Sequence, residues 1–394
     1  MKMHLILTSY RCIHFVFSAG FPRVATFPKM ISTQRGNRVT FKCNATGPPK
    51  PVIAWSKSQG SLPVLNSVIS DGTLTIMNVT IDDSGSYLCN ATNTFGTNSS
   101  LVELKVFCSL ACIEKPTSSA FVYVGQALKL SCPVSSGPEE KLLWMYNGTR
   151  SLPQDTLFEA PDLLLIPSVR KDHAGNYSCL SRNSLHWNTS LYVKYHETCS
   201  KVRRDICDAS GDYDIDPDGD QGEAPFTVYC NMTDKGGIGV TAVSHDSEHR
   251  THVVGFEAPG SYSRDIHYTG TTLSQIKGLM AVSTYCQQFI RYKCKASVLL
   301  YNYDVRGWWV SHDGEKMTYW GGATEGCACR MTNSCANPLM LCNCDKNDHV
   351  WREDSGLLTN KSHLPVSQLR FGDTGGSGEE GYHTLGKLEC YGMV

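Results

Sequence analysis

No run of about eighteen or more apolar residues occurs in the 394-residue chain, so no segment is expected to cross a bilayer as a helix. Nor is there an excess of charge: 36 Lys and Arg stand against 37 Asp and Glu, a net charge of -1. That balance provides none of the basic field by which a protein gathers nucleic acid or an anionic membrane. The residues after Cys390, Tyr-Gly-Met-Val, offer no lipid-anchor signal. Catalytic arrangements are equally scarce. Gly372-Asp373-Thr374-Gly375-Gly376 imitates the nucleophile loop of a serine protease with threonine in the nucleophile's place, and His245, Asp246 and Ser247 are neighbours in sequence, which is not triad geometry. The chain is expected not to be an enzyme. Asp214-Ile-Asp216-Pro-Asp218-Gly219 opens like a calcium loop, yet the twelfth position, where a bidentate glutamate belongs, holds Pro225. Solvated turn carboxylates are the first reading there and calcium a secondary one, so no cofactor is expected.

What the chain has in abundance is cysteine. There are 18, and Cys327, Cys329, Cys335, Cys342 and Cys344 fall within eighteen residues. Such a cluster is a metal nest in a reducing compartment and a disulfide knot in an oxidising one. Nine Asn-x-Ser/Thr sequons, at Asn44, Asn78, Asn90, Asn98, Asn147, Asn176, Asn188, Asn231 and Asn360, favour the second. Lys2, the stretches His4 to Tyr10 and Ile13 to Ala19, and the small run Ser18-Ala19-Gly20 read as a signal peptide over 1–20, although Arg11, Cys12 and His14 interrupt it. A secreted, disulfide-rich glycoprotein without a metal is the expectation.

The cysteines also reveal a repeat. Cys43 is followed by Trp55 and Cys89, and Cys132 by Trp144 and Cys179, with twelve residues from cysteine to tryptophan in both and 46 or 47 between the cysteines. Tyr87 and Tyr177 each stand two before the second cysteine. In an immunoglobulin sandwich a disulfide crosses the ~10 Å gap between two sheets, an indole covers its sulfurs, and a tyrosine occupies that position. Both repeats resemble such sandwiches, with bridges Cys43–Cys89 and Cys132–Cys179, and the tryptophans and tyrosines are expected to be core. The run Asp83-Ser-Gly85-Ser-Tyr87-Leu-Cys89-Asn-Ala91 resembles the intermediate set of adhesion receptors and matrix proteins. The second repeat departs from it, with His173 in the place of Asp83.

From Cys207 onward the texture becomes glycine-rich and aromatic. Leu273, Ile276, Met280 and Tyr285 or Phe289 follow helical spacing, with Thr272 or Ser274 available as a cap. The stretch from Cys207-Asp-Ala-Ser-Gly-Asp-Tyr213 to Pro225-Phe226-Thr-Val228-Tyr229-Cys230 resembles the opening of a fibrinogen-like domain. Val243-Ser-His245-Asp246, Tyr285-Cys286-Gln-Gln, Gly307-Trp308-Trp309-Val310, Tyr319-Trp320-Gly321-Gly322, Cys327-Ala-Cys329, Cys342-Asn-Cys344-Asp345, His363-Leu364-Pro365-Val366 and Gly372-Asp373-Thr374 then occur in one order. Together they resemble the fibrinogen-like module of contactin-associated proteins, the neurexin-related adhesion receptors, over Cys207 to Cys390. The implied architecture is two all-β immunoglobulin-like sandwiches, 24–107 and 114–196, followed by an α+β fibrinogen-like domain over 199–394. The discoidin, laminin-G and epidermal-growth-factor modules of that family are not visible in the chain, so the resemblance carries the module's fold and not a whole receptor's function.

It also implies a bridge Cys207–Cys230, and Cys286–Cys294 is expected beside it. Pairings among Cys327, Cys329, Cys335, Cys342, Cys344 and Cys390 stay open, because six cysteines allow fifteen connectivities. A local Cys108–Cys112 bridge would leave Cys199 odd, which raises an interchain disulfide and a disulfide-linked homodimer. Trp308, Trp309, Tyr319 and Trp320 are the densest aromatic cluster, read first as core and second as a contact surface. Cys344-Asp345-Lys-Asn347-Asp348 offers oxygens, but the spaced-carboxylate loop and Asn-Leu-Asn-Gly segment of lectin-type fibrinogen domains are missing, which argues against acetyl-group recognition. The function expected is that of a secreted or matrix adhesion and recognition protein binding extracellular proteins or glycans without catalysis. A soluble fibrinogen-related defence lectin and a structural matrix component are the alternatives.

Overall fold

The computed structural model describes residues 20–63, 66–113, 119–132, 142–180, 186–301, 304–322 and 324–393, and the side chain of Cys112 falls outside that description. The signal-peptide expectation, with Cys12, therefore lies outside the described residues. The chain divides into two compact units, 1–110 and, apart from Leu165–Pro167, 111 onward.

The first unit is a sandwich. Arg23–Phe27, Val39–Thr46, Thr73–Ile76 and Ser67–Ser70 make one sheet; Met30–Gln34, Gly96–Phe107, Gly85–Asn93 and Val52–Lys57 make the other. Alternation assigns the faces: Val39, Phe41 and Cys43 on one strand and Tyr87, Cys89 and Ala91 on another are buried. Cys43 bridges to Cys89 with the Cα atoms 6.4 Å apart, and Trp55 lies directly across from Cys89. The indole Nε1 donates to the Gly72 carbonyl at 3.0 Å. Gly72 has φ +76, and a Cβ there would sit 2.5 Å from the Cys43 oxygen, so the close strand-to-turn approach requires glycine.

The second sandwich repeats the plan. Ser119–Tyr123, His186–Lys194, Gly175–Leu180 and Leu143–Tyr146 form one sheet; Leu157–Ala160, Leu163–Ile166, Ala127–Ser131 and Leu110–Ile113 form the other. Cys132 bridges to Cys179 with Cα atoms 6.1 Å apart, Trp144 faces Cys179 and donates to the Pro161 carbonyl at 3.2 Å, and Trp187 adds a second indole edge-on at 5.8 Å. His173 takes over the local role of Asp83. Asp83 Oδ2 accepts from the Thr80 amide at 2.8 Å, and His173 Nδ1 accepts from the Arg170 amide at 2.8 Å, so either residue closes its short 3-10 turn.

Beyond Lys194 the same unit continues into a mainly antiparallel domain. Its large sheet runs Gly211–Ile215, Phe226–Asn231, Val240–Val243, Glu380–Tyr391, Tyr285–Lys295 and Arg352–Leu358, with Thr251–Val253 also paired to Glu380–Tyr391. A second sheet orders Tyr262–Asp265, Gln368–Phe371, Trp308–Val310 and Lys316–Met317. The helix expected from spacing is Leu273–Val282. Thr272 caps it reciprocally with Gln275, at 3.2 and 2.8 Å, and Ile276, Leu279 and Met280 are buried. Tyr285 and Phe289 lie outside it, in the strand Tyr285–Lys295, because the capping residue Ser283 has already turned extended. Sandwich and domain meet without a loose tether. Tyr123 and His196 stack at 4.0 Å, the Asp216 amide donates to the His196 carbonyl at 2.8 Å, and Lys171 pairs with Asp220 at 2.9 Å.

Three expected pairings are corrected. Cys286 and Cys294 share one extended strand eight residues apart, about 26 Å at ~3.3 Å per residue, far beyond the ~7 Å Cα limit of a disulfide. Each instead reaches another segment, Cys286 to Cys390 on the neighbouring strand and Cys294 to Cys344. Cys230 pairs with Cys199 and not with Cys207. The reason is the short helix Cys199–Asp205: the Cys199 amide donates to Thr241 Oγ1 at 3.1 Å, and Cys230 lies across from Thr241 in the sheet, whereas Gly211, not Cys207, is its other neighbour. Cys199 is thereby fully buried in an intrachain bridge, which removes the basis for an interchain link through it. Cys108 and Cys207 each take part in a disulfide as well.

Candidate functional site

The cysteine-dense stretch is a rigid loop. Between Ala328 and Asn347 the regular elements among the described residues are the four-residue helix Ala328–Met331 and a single 3-10 turn, Cys344–Lys346. Cys327–Cys342, Cys329–Cys335 and Cys294–Cys344 stitch the loop to itself and to the large sheet. Without strand partners, its backbone amides need other acceptors. Two buried carboxylates supply three of them and also tie the loop to the amides of Leu299 and Leu300. Asp345 accepts from the amides of Leu299, Leu300 and Cys342 at 3.0, 2.9 and 3.0 Å, and Asp354 from those of Asn343 and Cys344, both at 2.9 Å. Burial outweighs these bonds and pushes the Asp354 carboxyl up to about 6 and that of Asp345 upward as well. From sequence Asp345 was read only as one of the oxygens of Cys344-Asp345-Lys-Asn347-Asp348, and Asp354 was not singled out. Asp345 at least follows a cysteine in a loop, but Asp354 sits mid-strand with no local signal.

Cys327, Cys342 and Asp354 bring their ligand atoms within 4.8 Å of one another, the spacing of a metal nest, but the two sulfurs are bonded to each other. In the calcium-like stretch Asp216 and Asp218 lie side by side, and among the described residues the groups of three ligand atoms within 4.8 Å of one another do not include them. Asp214 accepts from Thr227 at 2.6 Å on the exposed face, Asp216 is buried and accepts from the Gly219 amide at 3.0 Å, and Asp218 accepts from the Glu223 amide at 2.9 Å. Thr374 is buried, its hydroxyl donating to the Phe256 carbonyl at 3.1 Å, and His245 is held between the Gly386 carbonyl and the Ser247 amide.

The aromatic cluster divides. Trp309 and Trp320 are fully buried, and the Trp309 indole donates to the Tyr319 carbonyl at 2.7 Å. Trp308 and Tyr319 remain half-buried, Lys316 lying 3.8 Å over the Trp308 ring. Tyr319 lines a cavity of about 180 Å³ with Gly322, Thr324, Thr359, Asn360 and His363. Its hydroxyl meets His363 Nδ1 at 2.9 Å, and burial pushes its ionisation up to about 12.

Exposed apolar side chains mark the sandwiches. In the first unit Val68 and Ile69 stand on the sheet-edge strand Ser67–Ser70, and Val52 on the edge strand Val52–Lys57. In the second sandwich Phe121 and Tyr192 stack at 5.2 Å on the outer surface, with Lys194 over the Phe121 ring. Aromatic residues presented on a fixed sheet are what protein contacts favour. Of the nine sequon asparagines, Asn90 and Asn231 are half-buried and the other seven are exposed.

An immunoglobulin I-set domain model matches residues 22–106 and an immunoglobulin domain model matches residues 112–183, so the chain carries two immunoglobulin domains. It is 39% identical to neurexin-4 of Drosophila melanogaster over 189 residues, 45% of this chain and 15% of that protein. It is 37% identical over 206 residues to contactin-associated protein 1 of Rattus norvegicus, and 36% identical over 212 residues to that of Homo sapiens. Each of those covers 50% of this chain, and the match spans 14% and 15% of the respective relatives. The described residues contain no helix long and apolar enough to cross a membrane.

Proposed function

We propose that the protein is a secreted or matrix-associated adhesion and recognition molecule that works by non-catalytic protein binding, its two immunoglobulin domains joined to a fibrinogen-like domain of the contactin-associated-protein type. The observation that carries this reading is the likeness of 189 to 212 residues to neurexin-4 and contactin-associated protein 1, a length that suits the domain beyond Lys194. Architecture supports it. Disulfides and buried carboxylates hold the loops of that domain in fixed positions, and the sandwiches present exposed apolar side chains on rigid strands. An extracellular location suits this many disulfides. No cofactor takes part, and catalysis has no place in the proposal.

The test is binding of the purified full chain, carrying an affinity tag, to the surface of cells in culture. Binding lost after mild protease treatment of the cells and retained in a calcium chelator is the expected outcome. Retention on protease-treated cells, abolished by the chelator or by free sugars, would instead favour the lectin alternative.

A further inference from the structure

We infer that Asn360 carries an N-linked glycan whose first sugar is seated in the cavity beside Tyr319 and His363, making it a fixed part of the domain. The inference rests on the secreted reading above. Asn360-Lys361-Ser362 is a sequon, and its asparagine is exposed on the rim of the 180 Å³ cavity. Nδ2, the atom that receives the sugar, lies 3.3 Å from His363 Nδ1, a ring that lines the same cavity. The amide is already oriented, because its Oδ1 accepts from the Ser362 amide at 3.1 Å and from the Ser362 hydroxyl at 2.8 Å.

Chemically, the anomeric carbon of a lipid-linked oligosaccharide diphosphate bonds to Nδ2. The bond from that carbon to the diphosphate oxygen breaks, and Nδ2 releases one proton while keeping the other for His363. The cavity has room for one sugar ring and is lined by residue types that suit one: the aromatic Tyr319 and His363, and the hydroxyl-bearing Thr324 and Thr359. Because Tyr319 Oη and Asn360 Nδ2 both lie within hydrogen-bond distance of His363 Nδ1, at 2.9 and 3.3 Å, the sugar and the aromatic cluster behind it share one polar group. Trp309 touches that group from the core side, its ring centroid 6.5 Å from that of His363.

The test uses the full chain secreted from a glycosylating host. Glycopeptide mass spectrometry reports occupancy, and an amidase that removes N-glycans is then applied to the native protein. Exposed Asn147 and Asn188 on the second sandwich serve as internal controls. The glycan at Asn360 should be released at least about tenfold more slowly than those at the controls, the retardation expected if roughly one net hydrogen bond favours the seated state. All three should be released at equal rates after denaturation. Thr359→Leu, which fills the cavity and keeps the sequon, should bring the Asn360 rate up to the controls. Equal native rates in the unaltered protein, or occupancy at Asn147 with none at Asn360, overturn the inference and leave the secreted reading intact. A product carrying no glycan at any sequon overturns both.

Discussion

The sandwiches and the domain that follows them use the same bond for different ends. In each sandwich a single disulfide joins partners 46 or 47 residues apart across a gap already lined by Trp, Tyr, Val and Leu side chains. The bridge there adds to a hydrophobic core. In the stretch around Cys327 to Cys344 the apolar residues point the other way, Leu339 and Met331 standing in solvent while the five sulfurs are buried. Disulfides and two desolvated aspartates there take the place of a core. Where sheets supply the framework, oxidation reinforces it; where the chain wanders, oxidation is the framework.

The largest effect should come from removing the long-range bridge of the C-terminal domain. Loop-closure entropy assigns about 5 kcal/mol to Cys286–Cys390, whose partners are 104 residues apart, and about 2 kcal/mol to Cys329–Cys335, six apart. Cys286→Ser/Cys390→Ser should therefore lower the unfolding free energy of that domain far more than Cys329→Ser/Cys335→Ser, as measured by denaturant titration of the full chain. The short bridge is the sharper probe, because its loop has little else to hold it. Protease cleavage near Leu339 should rise in C329S/C335S while the rest of the domain stays folded; a loop as resistant as before would mean that Asp345 and Asp354 alone suffice.

Acid separates the two units next. Between Gly20 and Leu110 there is no histidine, whereas the second unit buries His196 and His383, each with one ring nitrogen lacking a hydrogen-bond partner among the described residues. Desolvation pushes both down to about 4. The unfolded chain then binds more protons than the folded one between about 6.5 and 4, so stability is lost as pH falls through that window, by about 3 kcal/mol for each histidine. Asp354, raised to about 6, acts in the opposite sense: its burial costs stability above that pH and stops costing below about 4. Asp345 is raised in the same sense as Asp354 and His245 is lowered in the same sense as the other two histidines, and the two histidines pushed down to about 4 set the direction. Calorimetry from pH 7 to pH 4 should show the second unit's transition falling while the first sandwich's holds within a degree or two, and His383→Gln should flatten the fall.

What the amino-acid pattern revealed follows the same division. The sandwiches were legible because their bridge, tryptophan and tyrosine are spaced by the geometry of two packed sheets, which repeats whatever the loops do. The helix at Leu273 was legible from period and cap, but its end was not, since Tyr285 keeps the helical spacing while its backbone is already extended. The pairings of Cys199, Cys286 and Cys294 were hidden because proximity in sequence says nothing about which strands meet. Glu380–Tyr391, a strand from the far end of the chain, inserts beside Tyr285–Lys295 and supplies the partner of Cys286. The aromatic cluster looked uniform in sequence and divides only when strand alternation turns Trp309 inward and Trp308 outward.

His173 permits a smaller and more local test of how far the two sandwiches are equivalent. Its Nδ1 accepts from the Arg170 amide, so its Nε2 carries the proton and donates to the Gln154 carbonyl at 3.1 Å. The ring therefore closes its turn and also ties it to a neighbouring loop, whereas the Asp83 carboxylate accepts from the amide and the hydroxyl of Thr80 within its own turn. His173→Ala removes the partner of the Arg170 amide and of the Gln154 carbonyl in two partly buried hydrogen bonds and should cost about 1 to 3 kcal/mol. His173→Asn, which offers both an acceptor and a donor, should recover most of that in thermal melts; equal losses in the two variants would show that ring packing, not hydrogen bonding, keeps histidine there.

The smallest predicted effect is the one the sandwiches should share. Tyr87 donates to the Asp83 carbonyl at 2.6 Å and Tyr177 to the His173 carbonyl at 2.9 Å, both hydroxyls fully buried. Deleting either hydroxyl with phenylalanine removes one neutral hydrogen bond and leaves one carbonyl to find another donor, about 1 kcal/mol in each case. The turns they fasten differ, one closed by a carboxylate and one by an imidazole, yet the acceptor is a backbone carbonyl in both. Tyr87→Phe and Tyr177→Phe should therefore lower the melting temperatures of their own domains by similar amounts. If Tyr177→Phe proved clearly costlier, the corner and the His173 contact to Gln154 would be acting as one unit in the second sandwich, and the likeness of the two repeats would end at their cores.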